Sequence, residues 1–546
     1  MQRKFRNLGA DLFDIAIIGG GITGACIARD AARRGLSVAL VEKGDFSCGT
    51  SAGSTKLVHG GLRYLKSLEL RLIRESLRER RVWERIAPHM VYPMPFLLPL
   101  QEPSDRLMIN AGLTLYDLLS FDRNWLDDPD QRMPAHRSLS ATEARALEPA
   151  LSGAKLDSAM LYYDCQMYSP ERLGLECLMD AVKHGAVIAN HAQAVAFDRK
   201  GSTIHGVRVR DRLDGSETTI RCKLAINAAG PWADRLLELI DGAGGKSHKL
   251  IRSKGIHVVT RSLTQRHALA VSHKGGHFFI VPWRGHSIVG TTDSVYEDEP
   301  DALRVTADEV ASFLSFVNEG LPGLDLVPDH VCHAYAGLRP LVDDGAKSSY
   351  NASRKAEIVD HGAEGGPANL VSAIGGKWTT SRQIAETCVN LVARKLQADV
   401  KRCDTADAPL PGAAGNHKAK VAKLAAERRD ISASTAENLA RNYGAMAGDV
   451  LVHATSDTTL LRTVSQRLPD IAAQVVHAVR AEMACTLDDV VFRRTGLGTL
   501  GPLEPTALSD IAVLMARELG WSDSERQRQI DSIAWRYAPL APMSNG

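Results

Sequence analysis

Apolar runs in this chain repeatedly end on glycine, after which the spacing of apolar positions changes. Residues 8–18 close with Ile15-Ala-Ile-Ile18, enter Gly19-Gly-Gly-Ile-Thr-Gly24, and continue as an alanine-rich stretch of helical spacing. A second apolar run, Val38-Ala-Leu-Val, then stops on Glu42. That order predicts strand, tight turn, helix and second strand. Two later segments repeat the logic. Thr219–Asn227 runs into Ala228-Ala-Gly230-Pro231 and a proline-started helix; Asn369–Ile374 runs into Gly375-Gly376 and another helix start. Three strands that finish in glycine predict one parallel sheet presenting its carboxyl edge to a ligand. Alternation in Ile204–Arg210, His277–Trp283 and Ser287–Thr292 predicts strands of a second, more antiparallel layer.

From Cys403 to Asn416 the composition turns to Pro, Gly, Ala and Asp, which predicts a linker. Strand patterns are absent beyond it. Capping boxes are expected at Ser434…Glu437 and Ser522…Glu525, with stops at Gly444 and Gly520. The expected division is an interleaved catalytic region over 1–402, a linker over 403–416 and a helical domain over 417–546. Arg71–Arg85 has apolar residues at helical spacing among arginines and glutamates. It predicts an amphipathic helix packed on the domain, with a membrane-surface contact as the sharper alternative.

The first turn carries specific chemistry. Gly19 permits a tight turn, Gly21 lets backbone approach a pyrophosphate, and Gly24 lets helix and strand pack closely. The helix N-terminus aims N–H groups at phosphate, and Glu42 stands where a ribose hydroxyl is accepted. This predicts dinucleotide binding. A net charge of +2 argues against nucleic acid as a partner. The nine cysteines are dispersed without a C-x-x-C pair, which argues against a metal site and suits reduced thiols in the cytoplasm. The basic N-terminus lacks the apolar core of a signal peptide, and the best apolar run, Met94–Leu100, is short and broken by prolines. A soluble or peripheral protein is expected.

The opening motif does not separate NAD from FAD enzymes. Beyond Glu42 the chain has little helical character and is rich in glycine and small hydroxyl residues that let it lie flat along an extended cofactor, then reads Ser54-Thr-Lys-Leu-Val-His-Gly-Gly-Leu-Arg-Tyr64. With Gly49-Thr-Ser51, Lys254-Gly-Ile-His257, Gly290-Thr-Thr-Asp293, Gly337-Leu-Arg-Pro340 and Gly375–Thr380, this closely resembles the FAD-dependent, quinone-linked glycerol-3-phosphate dehydrogenases. The resemblance runs in order from about residue 10 to the helical tail. It implies a Rossmann-like α/β FAD-binding domain interleaved with an antiparallel-sheet substrate domain, plus an all-helical C-terminal domain. It also implies oxidation of sn-glycerol 3-phosphate to dihydroxyacetone phosphate, with hydride passing from C2 to flavin N5 and electrons to membrane quinone. Peripheral contact with the inner membrane follows from that acceptor, and a homodimer is an open alternative to a monomer.

Carried onto this sequence, the resemblance places FAD against Gly19, Gly21, Ile22, Thr23, Gly24, Glu42, Lys43, Thr50, Ser51, Ser54, Lys56, Leu57, His59, Gly60 and Gly61. It continues with Ala194, Ala229, Gly230, Trp232, Arg339, Gly376, Lys377, Trp378 and Thr379. Arg63, Tyr64, His257, Arg339, Arg354 and Lys377 are expected near substrate, where cations suit a phosphate dianion. His59 is the preferred base, with His257 and Arg63 as alternatives. Some positions depart from the family pattern: Gly53 replaces a basic residue, Lys355 and Ala356 follow Arg354, and Ser169-Pro170 replaces an acidic pair. An oxidase that reduces oxygen, and a flavin-carrying docking protein with an impaired site, are the competing functions.

Overall fold

The computed structural model describes residues 1–546 except 66, 241–249, 343–355, 416–421, 423–425, 427, 429 and 541–546. Its first sheet is built on the predicted strand, Leu12–Ile18, which lies between Val38–Val41 and Glu217–Asn227, with Leu370–Gly375 next in order. All of these neighbours pair in parallel, so the three glycine-ended strands finish on one edge. Val187–Ala189 adds a further parallel strand and Ala356–Asp360 an antiparallel one. Both faces are covered, which is why the strands read as continuous apolar runs rather than alternations. Val38–Val41 is buried at every position.

One strand joins a different layer from the one expected. Thr203–Asp211, covering the Ile204–Arg210 alternation, forms a hairpin with Ala192–Lys200 and continues onto Glu217–Asn227 of the first sheet. Alternation reports one solvated face, and an antiparallel extension of a parallel sheet has one as well as a separate layer does.

Gly276–Trp283 and His286–Gly290 do belong to the second sheet, alongside Leu250–Arg261 and Val331–Val342, which pair over most of their lengths. The proline-broken run is the strand Val91–Leu100, paired antiparallel with Ser158–Met167 along its length. Proline cannot donate to a ladder, and the other neighbour, Ala268–His273, pairs only with Phe96 and Leu97, both of which keep an N–H.

The segment after Cys403 is a packed connection. Thr405, Leu410 and Ala413 are buried, and Arg29 of the helix Ile22–Arg33 donates to the carbonyls of Thr405 and Ala408. The helical region that follows has its own apolar core, including Leu439, Val475, Val490, Ile511 and Met515. Gly444 and Gly520 stop helices, and Ser522 caps one through Glu525 N. The other expected cap is displaced: Ser432, not Ser434, accepts from Thr435 N and starts Ala433–Tyr443. The Ser-x-Ser repeat offers two frames, and the earlier hydroxyl is the one beside the first helical turn.

Candidate active site

A single cavity of about 2950 Å³ runs from the glycine turn to the antiparallel sheet. Three of the four glycines of the first turn do different work. Gly19 has φ +113°, and an added Cβ would lie 2.4 Å from the Ala228 carbonyl oxygen. A Cβ on Gly24 would come within 1.9 Å of the Gly19 carbonyl oxygen, so this glycine holds helix against turn and stays off the cavity wall. Gly21 has φ −70°, open to any residue, and its Cβ would meet only Ser51 Oγ, at 3.2 Å. The fold does not demand glycine there. The free space on that side belongs to the cavity, and it is the room a pyrophosphate needs.

The helix Ile22–Arg33 starts without a side-chain cap and without an acid in its first turn, leaving its positive end for an anion. Ser51 Oγ accepts from Ile22 N at 2.9 Å and so fixes the flat segment against that end. Glu42 accepts from Gly20 N at 2.7 Å and Gly44 N at 2.8 Å. Each carboxylate oxygen has a second lone pair, which leaves capacity for a ribose hydroxyl. Lys43 packs over the Trp232 ring, 4.4 Å from its centroid, and both residues bond Asp301.

At the other end the walls carry cations. Arg63 donates to Tyr64 Oη at 3.3 Å, and Lys377 Nζ lies 4.2 Å from the Tyr64 ring centroid while donating to Ser76 Oγ at 2.8 Å. Across the antiparallel sheet, Arg339 is oriented by Ser253 Oγ at 3.0 Å and Thr291 Oγ1 at 2.9 Å, with Asp293 at 3.6 Å. The two expected histidines differ. His257 is buried, stacks on Tyr335 at 5.0 Å, and places Nε2 2.9 Å from Thr55 Oγ1. Burial, then the charges of Arg339 and Lys56, hold its ring well below the ordinary histidine range, so it is neutral. His59 is half-buried on the cavity wall, its backbone clamped at both N–H and carbonyl by Thr379 Oγ1.

Apart from Gly24, Lys56, Gly60 and Arg354, every residue expected at the site stands on the cavity wall. Arg354 and Lys355 lie outside the described residues. Lys56 is turned away: it is buried, pairs with Glu171 at 2.8 Å and sits over the Trp283 ring. Gly60 faces the opposite side from the cavity, where a Cβ would strike Tyr116 Oη at 2.3 Å. The departures have local causes. A side chain at Gly53 would come within 2.7 Å of Ala336 O and Gly337 Cα, so this strand crossing excludes a basic residue. Ser169 caps the helix Pro170–Lys183, accepting from Arg172 N, with Pro170 at its first position. Ala356 pairs opposite Gly375.

Sequence reading passed over Asp164. It accepts from Gly60 N, Arg80 and Tyr116, fixing the turn that carries His59 and Arg63. The signal was present as a carboxylate directly after the apolar run Ala159–Tyr163 and before Cys165. Arg80 itself lies on the helix Leu70–Ile86, whose apolar face packs inward as expected.

Comparison with known proteins agrees with this geometry. Residues 14–382 match the family described as FAD dependent oxidoreductase, and residues 403–526 match the C-terminal domain of alpha-glycerophosphate oxidase. The chain is 35% identical over 544 residues to a Synechocystis protein named glycerol-3-phosphate dehydrogenase, covering 97% of each. It is 34% identical to one of the same name from Mycobacterium leprae, covering 96% of this chain and 88% of the relative. Among solved structures, the glycerol-3-phosphate dehydrogenase of Bacillus halodurans complexed with FAD superposes with a TM-score of 0.78 at 28% identity, covering 99% of this chain and 98% of that one.

Proposed function

Given that the chain belongs to the FAD-dependent oxidoreductase family, we propose that it oxidises sn-glycerol 3-phosphate at C2 to dihydroxyacetone phosphate and delivers the electrons to membrane quinone. The observation that carries this reading is the gathering of Arg63, Arg339 and Lys377 on the walls of the same cavity that the glycine turn and Glu42 line. Full-length identity to proteins named for this activity supports the substrate.

FAD, when bound, supplies the two-electron acceptor that takes hydride from C2. The chain does the rest. Arg63, Arg339 and Lys377 hold the phosphate dianion and stabilise charge developing on the C2 oxygen. Tyr64 fixes the orientation of Arg63 and Lys377. His59 takes the hydroxyl proton on a ring nitrogen, and its clamped backbone keeps the ring at the cavity wall. His257, neutral and held by Thr55, orients rather than accepts.

The cavity also reaches the surface past Leu68 and Met108, which are 74% and 62% exposed. Leu107, Leu118, Phe121 and Trp125 are exposed nearby in sequence, with Arg74 over Phe121 and Arg81 over Trp125. Aromatic, aliphatic and cationic side chains in one region suit the interface of an anionic bilayer and a lipid-soluble acceptor. No helix among the described residues is long and apolar enough to cross a membrane; the exposed patch is what supports a peripheral contact with the cytoplasmic membrane.

The test is an absorbance spectrum of the holoprotein without oxygen. Glycerol 3-phosphate should bleach it, and soluble quinone should restore the colour faster than oxygen does. Arg339→Ala should keep the colour and need about 10- to 100-fold more substrate to lose it. A parent spectrum that substrate leaves unchanged overturns the activity; faster recovery with oxygen overturns the acceptor.

A further inference from the structure

None of the residues assigned above comes from the helical region 417–546, yet two of its arginines, Arg493 on the cavity wall and Arg494 off it, both bond Asp45 at the nucleotide end. Asp45, three residues beyond Glu42, is buried. Its Oδ2 accepts from Arg493 Nε at 2.5 Å and Arg494 Nη1 at 2.6 Å; its Oδ1 accepts from Arg494 Nη2 at 2.8 Å and Asn190 Nδ2 at 2.9 Å. Burial alone would favour the neutral acid, but the two guanidinium groups outweigh it and keep the carboxyl below its usual range.

The contact extends to the neighbouring segment. Asn190 Nδ2 also donates to the Met483 carbonyl, and His191 Nε2 lies 3.0 Å from Asp489 Oδ2. His191 N donates to Gly44 O and Ala192 N to Glu42 O, which join this segment to the loop after Glu42. From behind, Arg172 pairs with Glu482 at 2.8 Å and donates to the Arg494 carbonyl. Asp45, His191 and Asp489 have the donor types of a cation site. Their oxygens, however, already accept from Arg493, Arg494, Thr486 and backbone N–H groups, so the cluster serves as an ionic lock.

We infer that the helical region is part of the cofactor site: Arg493 and Arg494 fix Asp45, and through it the Glu42–Asp45 and Asn190–Ala194 segments, in the position that receives the adenosine end of FAD. Arg493 and Arg494 are positioning residues. The inference rests on the chain binding FAD and is independent of which alcohol it oxidises.

The experiment measures FAD dissociation from full-length protein by flavin fluorescence. Arg494→Met should raise the FAD dissociation constant tenfold or more, and Arg494→Lys should recover part of the loss, because a lysine restores charge but not the paired geometry. The KM for glycerol 3-phosphate at saturating FAD should move far less than the FAD constant. Met515→Ala, in the core of the same region but away from Asp45, should lower the thermal midpoint and leave the FAD constant in place. If Arg494→Met does not fold, His191→Asn, which suits the left-handed backbone there (φ +50°), should raise the FAD constant about threefold. An FAD constant equal to the parent's in the folded arginine or histidine variant overturns the inference, as does an equal rise in Met515→Ala. Protein that holds FAD as expected but is not bleached by substrate overturns the proposed activity alone.

Discussion

At the end of the cavity proposed for the nucleotide, the glycine turn offers mostly backbone from one contiguous stretch: Gly19, Gly21 and the first turn of Ile22–Arg33. At the end proposed for the substrate the wall is made of side chains, with Arg63, His257, Arg339 and Lys377 drawn from four distant segments. The first kind of site is specified where it stands. A strand, a positive φ and an open helix terminus are local properties, and each needs a particular residue at a particular spacing. The second kind depends on the register between long strands. Ser253 and Arg339 face one another only because Leu250–Arg261 and Val331–Val342 pair as they do.

The largest effect that sharpens this contrast falls on the substrate end. His59→Asn should lower kcat by roughly 10²- to 10⁴-fold, the usual worth of a positioned general base, while FAD stays bound. His257→Asn should cost about tenfold or less, since a neutral buried ring loses only an orienting bond to Thr55, of about 1 kcal/mol. Steady-state kinetics on the two yellow variants separates them. Were the two losses exchanged, the proton would leave through His257 and the contrast between the histidines would be inverted.

A smaller but cleaner effect belongs to the nucleotide end. Gly21→Ala should leave the thermal midpoint of the FAD-free protein within a few degrees, because φ accepts a methyl group and only Ser51 Oγ must give way, by a few tenths of an ångström. FAD affinity should fall about 100-fold, or ~2.7 kcal/mol, as the methyl occupies the approach to the pyrophosphate. Loss of the FAD-free fold would mean that Gly21 is structural, like Gly19 and Gly24.

These expectations also mark what the sequence could tell. The three glycine-ended strands proved to be adjacent and parallel, and the helical region was legible from its capping residues and absent strand patterns. Lys56 shows the limit. Its motif is local, but a φ of +57° turns the side chain into a buried pair with Glu171, which no spacing rule anticipates. Thr203–Asp211 has correct strand periodicity and the wrong expected partner, because alternation says nothing about which edge a strand joins. Arg493 and Arg494 were invisible for the same reason as the register of Arg339: their meaning lies with Asp45, far away in sequence. The connection after Cys403 has the composition of a tether, yet Arg29 finds its carbonyls.

The smallest effect probes what lies behind the substrate end. Beneath the His59–Arg63 turn, Arg80 donates to Asp164 at 2.6 Å, and Glu84, one helical turn on, lies 4.0 Å from Arg80 Nε. Glu84 is fully buried. Burial pushes its carboxyl up to about 8, against the opposing charge of Arg80. The folded protein therefore holds a proton that the unfolded chain releases near the ordinary value of 4.5. Below that value both states are protonated and Glu84 costs nothing. As pH rises toward 8 the unfolded chain is increasingly favoured, and above 8 the penalty is complete. Glu84→Gln removes the titration. Its stability advantage over the parent should be small at pH 4.5 and grow to on the order of 1–3 kcal/mol by pH 8, read as a widening gap between thermal midpoints. Burial also raises the Glu42 carboxyl at the nucleotide end, but Glu42 is common to the parent and Glu84→Gln and leaves the gap between them unchanged. A gap that stays constant across this range would mean that Glu84 is charged in the fold, paired with Arg80 rather than neutral beside it.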